Sequence, residues 1–300
     1  MHPPLILDMR SHGGEFFRDG RVCRLLKSRV LRALIAWDSS RRRTTLKLGP
    51  IQTLVFAMLG FAVIGCAKKA SETPPPPTAV VDPAIAGNII GTVRLEGEPP
   101  KFRPIDMSAE PACVKANAKP LIPPIVVTGD HGALARVVVY IKSGLGRYKY
   151  DVSTTPLVLS QKGCMYEPRV LALRVGQPLE VHNEDATTHN INVRARDNRS
   201  WNRSEVPGEP SFSETFDHPE LGIPVTCNIH PWMRAYLFVF DHPYYDVTTK
   251  TGEFSLKGLP PGRYTVEAWQ EYYGVQDQTV TLTAEGTKSI LFVFKTRNPQ

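Results

Sequence analysis

The sequence predicts an all-β protein, and three observations carry that prediction. From residue 88 onward, short runs of β-branched, aromatic and aliphatic residues are separated by Gly and Pro. No stretch there sustains an apolar period of 3.6 residues. Several runs alternate instead: Leu171, Leu173 and Val175 fall on one face while Arg174 points to the other, as in a strand with one solvated side.

Strands are predicted over 89–96, 136–142, 169–175, 178–183, 236–240, 263–269 and 289–294. The run 137–141 is apolar on both faces, which suits a central strand, although the same run fits a buried helical turn. The Leu-Pro-Pro-Gly turn at 259–262 has a local cause, since Pro fixes φ and Gly accepts a positive φ. The alternation of Tyr264, Val266 and Ala268 marks a core face. A chain of 300 residues with 42% hydrophobic content can fill one or two cores.

The formal net charge is +7, but its placement argues against a nucleic-acid partner. Residues 1–65 hold 11 of the 36 Lys and Arg and 4 of the 29 Asp and Glu, so the remainder carries 25 of each. Within that leader a basic cluster (Arg41, Arg42, Arg43, Lys47) precedes an apolar stretch at 51–64 and then Val63, Ile64, Gly65 and Cys66. This resembles a bacterial lipoprotein signal peptide, which implies lipidation of Cys66, export, and a membrane reached through a lipid anchor in the cell envelope, periplasmic or outer-membrane. The other reading is a short transmembrane anchor, but the stretch falls below the ~20 residues a spanning helix needs. Residues 1–40 fit no signal peptide, and their length ahead of the basic cluster is what an incorrectly assigned start codon would produce. Residues 66–86, with Pro74 to Pro77, read as an extended tether.

Of the five cysteines, Cys23 lies in the leader and Cys66 is the lipidation candidate. In an oxidising compartment Cys113 and Cys164 either form a disulfide or remain two separate buried thiols. Cys227 belongs to a different pattern. Cys227, His230 and Met233 form a C-x-x-H-x-x-M run that places a thiolate, an imidazole and a thioether on one loop, the donor types of a blue-copper site. Such a site needs a second imidazole, for which His189 is the candidate. Cys and two His would also suit zinc, whereas the soft thioether favours copper. The other histidines read as structural: His182 on the polar side of a strand, His218 and His242 beside Pro in turns, His131 in a loop. The stretch 194–213, rich in Arg, Asn, Ser and Glu, reads as a solvated loop.

Two resemblances extend this reading. YEPRVLALRVG at 166–176, LEVHN at 179–183, THNIN at 188–192, Phe216 and PVTCNIHPWMR at 224–234 resemble the small blue-copper proteins of the amicyanin and plastocyanin type, the cupredoxins, over residues 157–241. The resemblance implies a Greek-key sandwich holding one type 1 copper, with His189, Cys227 and His230 as equatorial ligands and Met233 as the weak axial one. It further implies that Asn190 orients the ligand loop and turns its backbone N–H to the thiolate. Pro231 and Trp232 would flank a docking surface for redox partners; Trp232 reads equally as a core aromatic. GTVRLEG at 91–97, ARVVV at 135–139, TGEF at 251–254 and GLPPGRY at 258–264 resemble the carboxypeptidase regulatory-like, or transthyretin-like, domain.

The layout expected from both is a transthyretin-like sandwich over 87–148 and 243–300, with a cupredoxin over 149–242 inserted into it. The rival layout is linear, with 87–240 as one extended cupredoxin. The expected function is a lipid-anchored electron carrier for redox proteins such as cytochromes or membrane oxidoreductases. A non-redox structural or binding sandwich and a copper storage or delivery protein are the alternatives. An enzyme is not expected: the sequence has no H-x-H pair for further coppers, and Gly13-Gly14 and Gly144 to Gly146 lack the strand-to-helix context of a phosphate loop.

Overall fold

Side-chain alternation in this chain is resolved by four β-sheets, seen in a computed structural model that describes residues 79–296. The leader 1–65, Cys66 and the Pro-rich run 74–77 lie outside the described residues. The stretch read as a tether is already fastened at Ala79, which bridges Tyr148 and accepts a hydrogen bond from Lys149 N at 2.8 Å. Among the described residues no helix is long and apolar enough to cross a membrane.

The chain opens with β1 (Gly87–Glu96), a long connection containing the short helix α1 (Pro111–Ala116), and β2 (Val138–Ser143). Nine strands follow: β3 (Leu157–Lys162), β4 (Met165–Glu167), β5 (Val170–Arg174), β6 (Leu179–Asn183), β7 (His189–Val193), β8 (Trp201–Glu205), β9 (Phe212–Glu214), β10 (Glu220–Thr226) and β11 (Arg234–Phe240). The last five are β12 (Tyr245–Val247), β13 (Glu253–Leu259), β14 (Gly262–Gln270), β15 (Gly274–Leu282) and β16 (Thr287–Lys295). The early and late strands share two sheets, ordered β13-β1-β16 and β12-β2-β14-β15, while the nine between them form β5-β11-β10-β7-β8 and β4-β3-β6-β9. Close approach explains Gly91 in β1: a Cβ there would lie 2.0 Å from Ile290 O and 2.7 Å from the Phe254 ring. At the Pro-Pro turn the positive φ belongs to Gly258 (+74°) rather than to Gly262.

Period-two alternation divides the side chains of the inner sheets between different cores. In β2, Val139 and Ile141 join Ile89, Leu256, Tyr264, Val266 and Phe292 in one core, while Val138 and Tyr140 face the opposite way. In β11, Ala235, Leu237 and Val239 join Leu159, Val181, Ile191 and Val225 in a second core, and Phe238 and Phe240 turn back toward Val138 and Tyr140. A third cluster therefore cements the two sandwiches, with Trp269 packed 4.8 Å from Phe238 and 5.2 Å from Tyr236 between ring centroids.

Three sequence expectations change. Strand β5 has no solvated face: Arg174 is buried, donating to Phe240 O and Asp241 O and lying over the Tyr150 ring, because the second sandwich covers that side. The stretch 194–213 contains β8 and most of β9, and Glu205 within it is fully buried. Within 87–148, Met107 and Cys113 pack into the core of residues 159–239, so the β1–β2 connection crosses to the other sandwich.

Charged groups buried at the junction are paired. Arg169 Nε donates to both carboxylate oxygens of Glu271 at 2.9 and 2.8 Å, and both side chains are about 5% exposed. Burial lifts the Glu271 carboxyl above its ordinary range even so, because the neighbouring guanidinium only partly offsets desolvation. Arg169→Met should cost about 3–5 kcal/mol in urea unfolding, and adding Glu271→Gln should recover most of it. His242, buried against Phe240 and accepting from Tyr244 N, is held down to about 4 by desolvation. The unfolded chain therefore binds a proton near pH 6.5 that the folded chain refuses, so stability falls as pH drops from about 6.5 to about 4. His242→Asn should remove about 3 kcal/mol of that pH dependence, measured as the difference in unfolding free energy across the window.

Candidate metal centre

Register brings the two ends of the site together. Strands β7 and β10 are antiparallel with Thr226 opposite Asn192 and Val225 opposite Val193. Continuing that register past the end of β10 sets Asn228 against Asn190 and the 227–233 loop against His189. The contacts follow: Asn228 N donates to Asn190 Oδ1 at 3.1 Å, and Asn192 Nδ2 to Asn228 Oδ1 at 2.9 Å. Asn190 is itself braced by its Nδ2 donations to Asn202 Oδ1 and Arg203 O on β8. The loop closes on itself, with Met233 N donating to His230 O at 2.9 Å, Cys227 N to Met233 O at 3.3 Å and His230 N to Cys227 Sγ at 3.3 Å.

His189, Cys227 and His230 converge so that one donor atom from each lies within 4.8 Å of the others, and all three are buried. Both imidazoles present Nδ1: the two Nδ1 atoms are 3.0 Å apart, and Cys227 Sγ is 3.7 Å from Nδ1 of His230. Metal bonds of ~2.0 Å to nitrogen and ~2.3 Å to sulfur at tetrahedral or trigonal angles place such donors ~3.3–3.8 Å apart, so the trio fits a metal ion after a shift of a few tenths of an ångström. Met233, the expected axial donor, is fully buried in the same core at the far end of the loop.

The electrostatics favour a thiolate. Burial pushes the Cys227 thiol up, but the His189 imidazole and the backbone amides of His230, Ile229 and Asn190 outweigh it and bring the group below its ordinary value. Burial likewise disfavours a charged His189, yet Asp185 and the Cys227 sulfur raise it to about 9. His230 is lowered by burial and by the charge on His189. Burial, reinforced by Cys227 and Glu205, raises the Tyr166 phenol, which donates to Asn190 O and holds the β7 backbone behind the site.

Asp185 is a residue that sequence reasoning missed. Its Oδ2 pairs with His189 Nε2 at 2.8 Å, while its two oxygens accept from Gly163 N and Cys164 N at 2.7 Å each. The carboxylate fixes the ring with Nδ1 toward Cys227. Its signal lay in the Asn-Glu-Asp run at 183–185, where Asn183 Oδ1 accepts from Asp185 N and shapes the turn.

Cys113 and Cys164 are joined in a disulfide, and Cys227 is the free cysteine among the described residues. The bond lies against the site: Cys113 Sγ is 3.7 Å from His230 Nε2, at the same distance as Glu110 Oε2. His230 is therefore fully buried. Pro231 is exposed, whereas Trp232 is half-buried, with Nε1 donating to Cys164 O at 3.0 Å and its ring 5.2 Å from that of His230. His182 stays at the surface, beside Glu180 at 3.0 Å.

No family model and no curated protein sequence matches the chain. Among solved structures it is similar to a copper-containing nitrite reductase from Thermus scotoductus, at 22% identity over 33% of this chain and 26% of that one, with a TM-score of 0.28. It is also similar to a variant of amicyanin in its Cu(I) form (23% identity, 30% and 87% of the two chains, TM-score 0.26). A purple cupredoxin from Nitrosopumilus maritimus matches at 23% identity over 25% and 82%, with a TM-score of 0.22.

Asn190 ties β7 and β8 to the ligand loop. Asn190→Ala should lower stability by about 1–3 kcal/mol and speed amide exchange at Asn228 in the metal-free protein; unchanged exchange would show that the loop is held without it.

Proposed function

We propose that this chain is a single-electron carrier built on a type 1 copper centre, with His189, Cys227 and His230 as the principal ligands and Met233 as the weak axial donor. The observation that carries the reading is the convergence of two Nδ1 atoms and one thiolate-prone sulfur in a buried pocket. A bound copper would supply the one-electron couple, and mixed imidazole, thiolate and thioether donors suit both of its oxidation states. The chain's own residues perform the remaining work. Asp185 and the loop's internal hydrogen bonds keep the donors fixed, and the Asn190 amide supports the sulfur's negative charge. The surrounding core excludes water from all three ligands.

The reading extends to the rest of the chain. Residues 149–242 would be the cupredoxin, inserted into a transthyretin-like sandwich that serves as its mount, and lipidation at Cys66 would hold both near a membrane. Pro231 and the exposed Ile229 would offer the apolar surface on which a redox protein docks.

Protein loaded with Cu(II) should show an intense visible sulfur-to-copper band and narrow copper hyperfine splitting in EPR. Cys227→Ser should abolish the colour, whereas His182→Ala should leave it intact. A colourless protein with an ordinary tetragonal copper spectrum would end this reading, and preferential retention of zinc would replace it with a structural one.

A further inference from the structure

The disulfide is more than a loop staple, because it occupies the rear of both candidate ligand imidazoles. A second group of potential metal donors, from Cys164, Asp185 and His189, lies within 4.8 Å, and Cys113 is bonded to Cys164. Both sulfurs are fully buried, and the Asp185 side chain is 8% exposed. Glu110 Oε2 and Cys113 Sγ flank the same His230 nitrogen at 3.7 Å each.

We propose that Cys113, Cys164 and Asp185 form a second site, for a soft divalent cation, that opens when the disulfide is reduced. A dithiol would supply two electrons and two protons, becoming a disulfide itself while the Cys113–Cys164 bond becomes two thiols. Cation binding then displaces both thiol protons and leaves two thiolates and one carboxylate as donors. Two thiolates beside oxygen donors select zinc- or cadmium-like ions over calcium or magnesium.

What makes this a site rather than two released thiols is that the cysteines stay together without their bond. Asn117 Nδ2 donates to Cys113 O and to Gly163 O, both at 2.9 Å, clamping the end of α1 to the residue before Cys164. The Asp185 carboxylate in turn holds Gly163 N and Cys164 N. The backbone positions of both sulfurs and of the carboxylate are thus set by hydrogen bonds that reduction does not break.

The test uses the full chain carrying Cys227→Ser, which removes the first centre's sulfur, so that its outcome is independent of the copper reading. After treatment with a dithiol and anaerobic desalting, titration with Cd(II) alone should raise a thiolate-to-cadmium ultraviolet band that saturates at one ion per chain. The oxidised variant should show none. Adding Asp185→Asn should weaken cadmium affinity roughly 10- to 100-fold. No band after reduction would overturn the proposal. Equal affinity with and without Asp185→Asn would overturn it as well, since the thiols would then bind metal without the fold, as in an unfolded chain.

Discussion

Where the two sandwiches meet, β2, β5, β11 and β14 bury both of their faces over most of their length, and the rest of the molecule depends on that constraint. In β2, β5, β11 and β14, odd and even side chains serve different cores, so each strand is specified twice. A register slip of one residue would exchange the two sets and misfill both cores at once. Such strands are strongly fixed, and the loop carrying the candidate donors starts and ends in the same sheet: it leaves β10 at Thr226 and enters β11 at Arg234. Burial of Arg169, Glu271, Arg174 and His242 at the junction follows from the same geometry, and each has found a hydrogen-bond partner there.

Rigidity at the centre comes from several independent ties to the same few atoms. The loop folds over its own sulfur, Asn190 links it to β7 and β8, and Asp185 locks the upstream imidazole from behind. For the electron carrier proposed above, ligand geometry imposed before the metal changes charge would leave little to move. The connection between β1 and β2 adds a covering: α1 and its cysteine seal the outer edge of His230. The nominal mount therefore takes part in the site, which makes the two sandwiches interdependent in chemistry as well as in packing.

Much of this was legible in the linear chain. Strand positions followed from alternation and from Gly and Pro punctuation, and the ligand candidates followed from residue type and spacing, because a C-x-x-H-x-x-M run gathers a thiolate, an imidazole and a thioether on one loop. The polar face of β5 was misread, since Arg174 alternates as a solvated residue would and only the neighbouring sandwich buries it. The stretch 194–213 is largely exposed, as its composition suggests, but it holds β8 and most of β9 rather than a loop alone, and Glu205 within it points inward beside Gln161. Asp185 was overlooked because the Asn-Glu-Asp run marks a turn without saying that its last carboxylate reaches the His189 ring four residues on.

The sequence by itself determined the all-β class, the positions of most strands and the identity of the candidate donors, because these depend on local periodicity and on the chemistry of individual side chains. Tertiary structure alone decided which groups stand behind those donors. The Asp185 contact spans four residues, but its direction depends on amides at Gly163 and Cys164, and the sulfur of Cys113 reaches His230 across 117 positions. Contacts of that range are set by how sheets stack and where a connection crosses between them, and no local pattern encodes either.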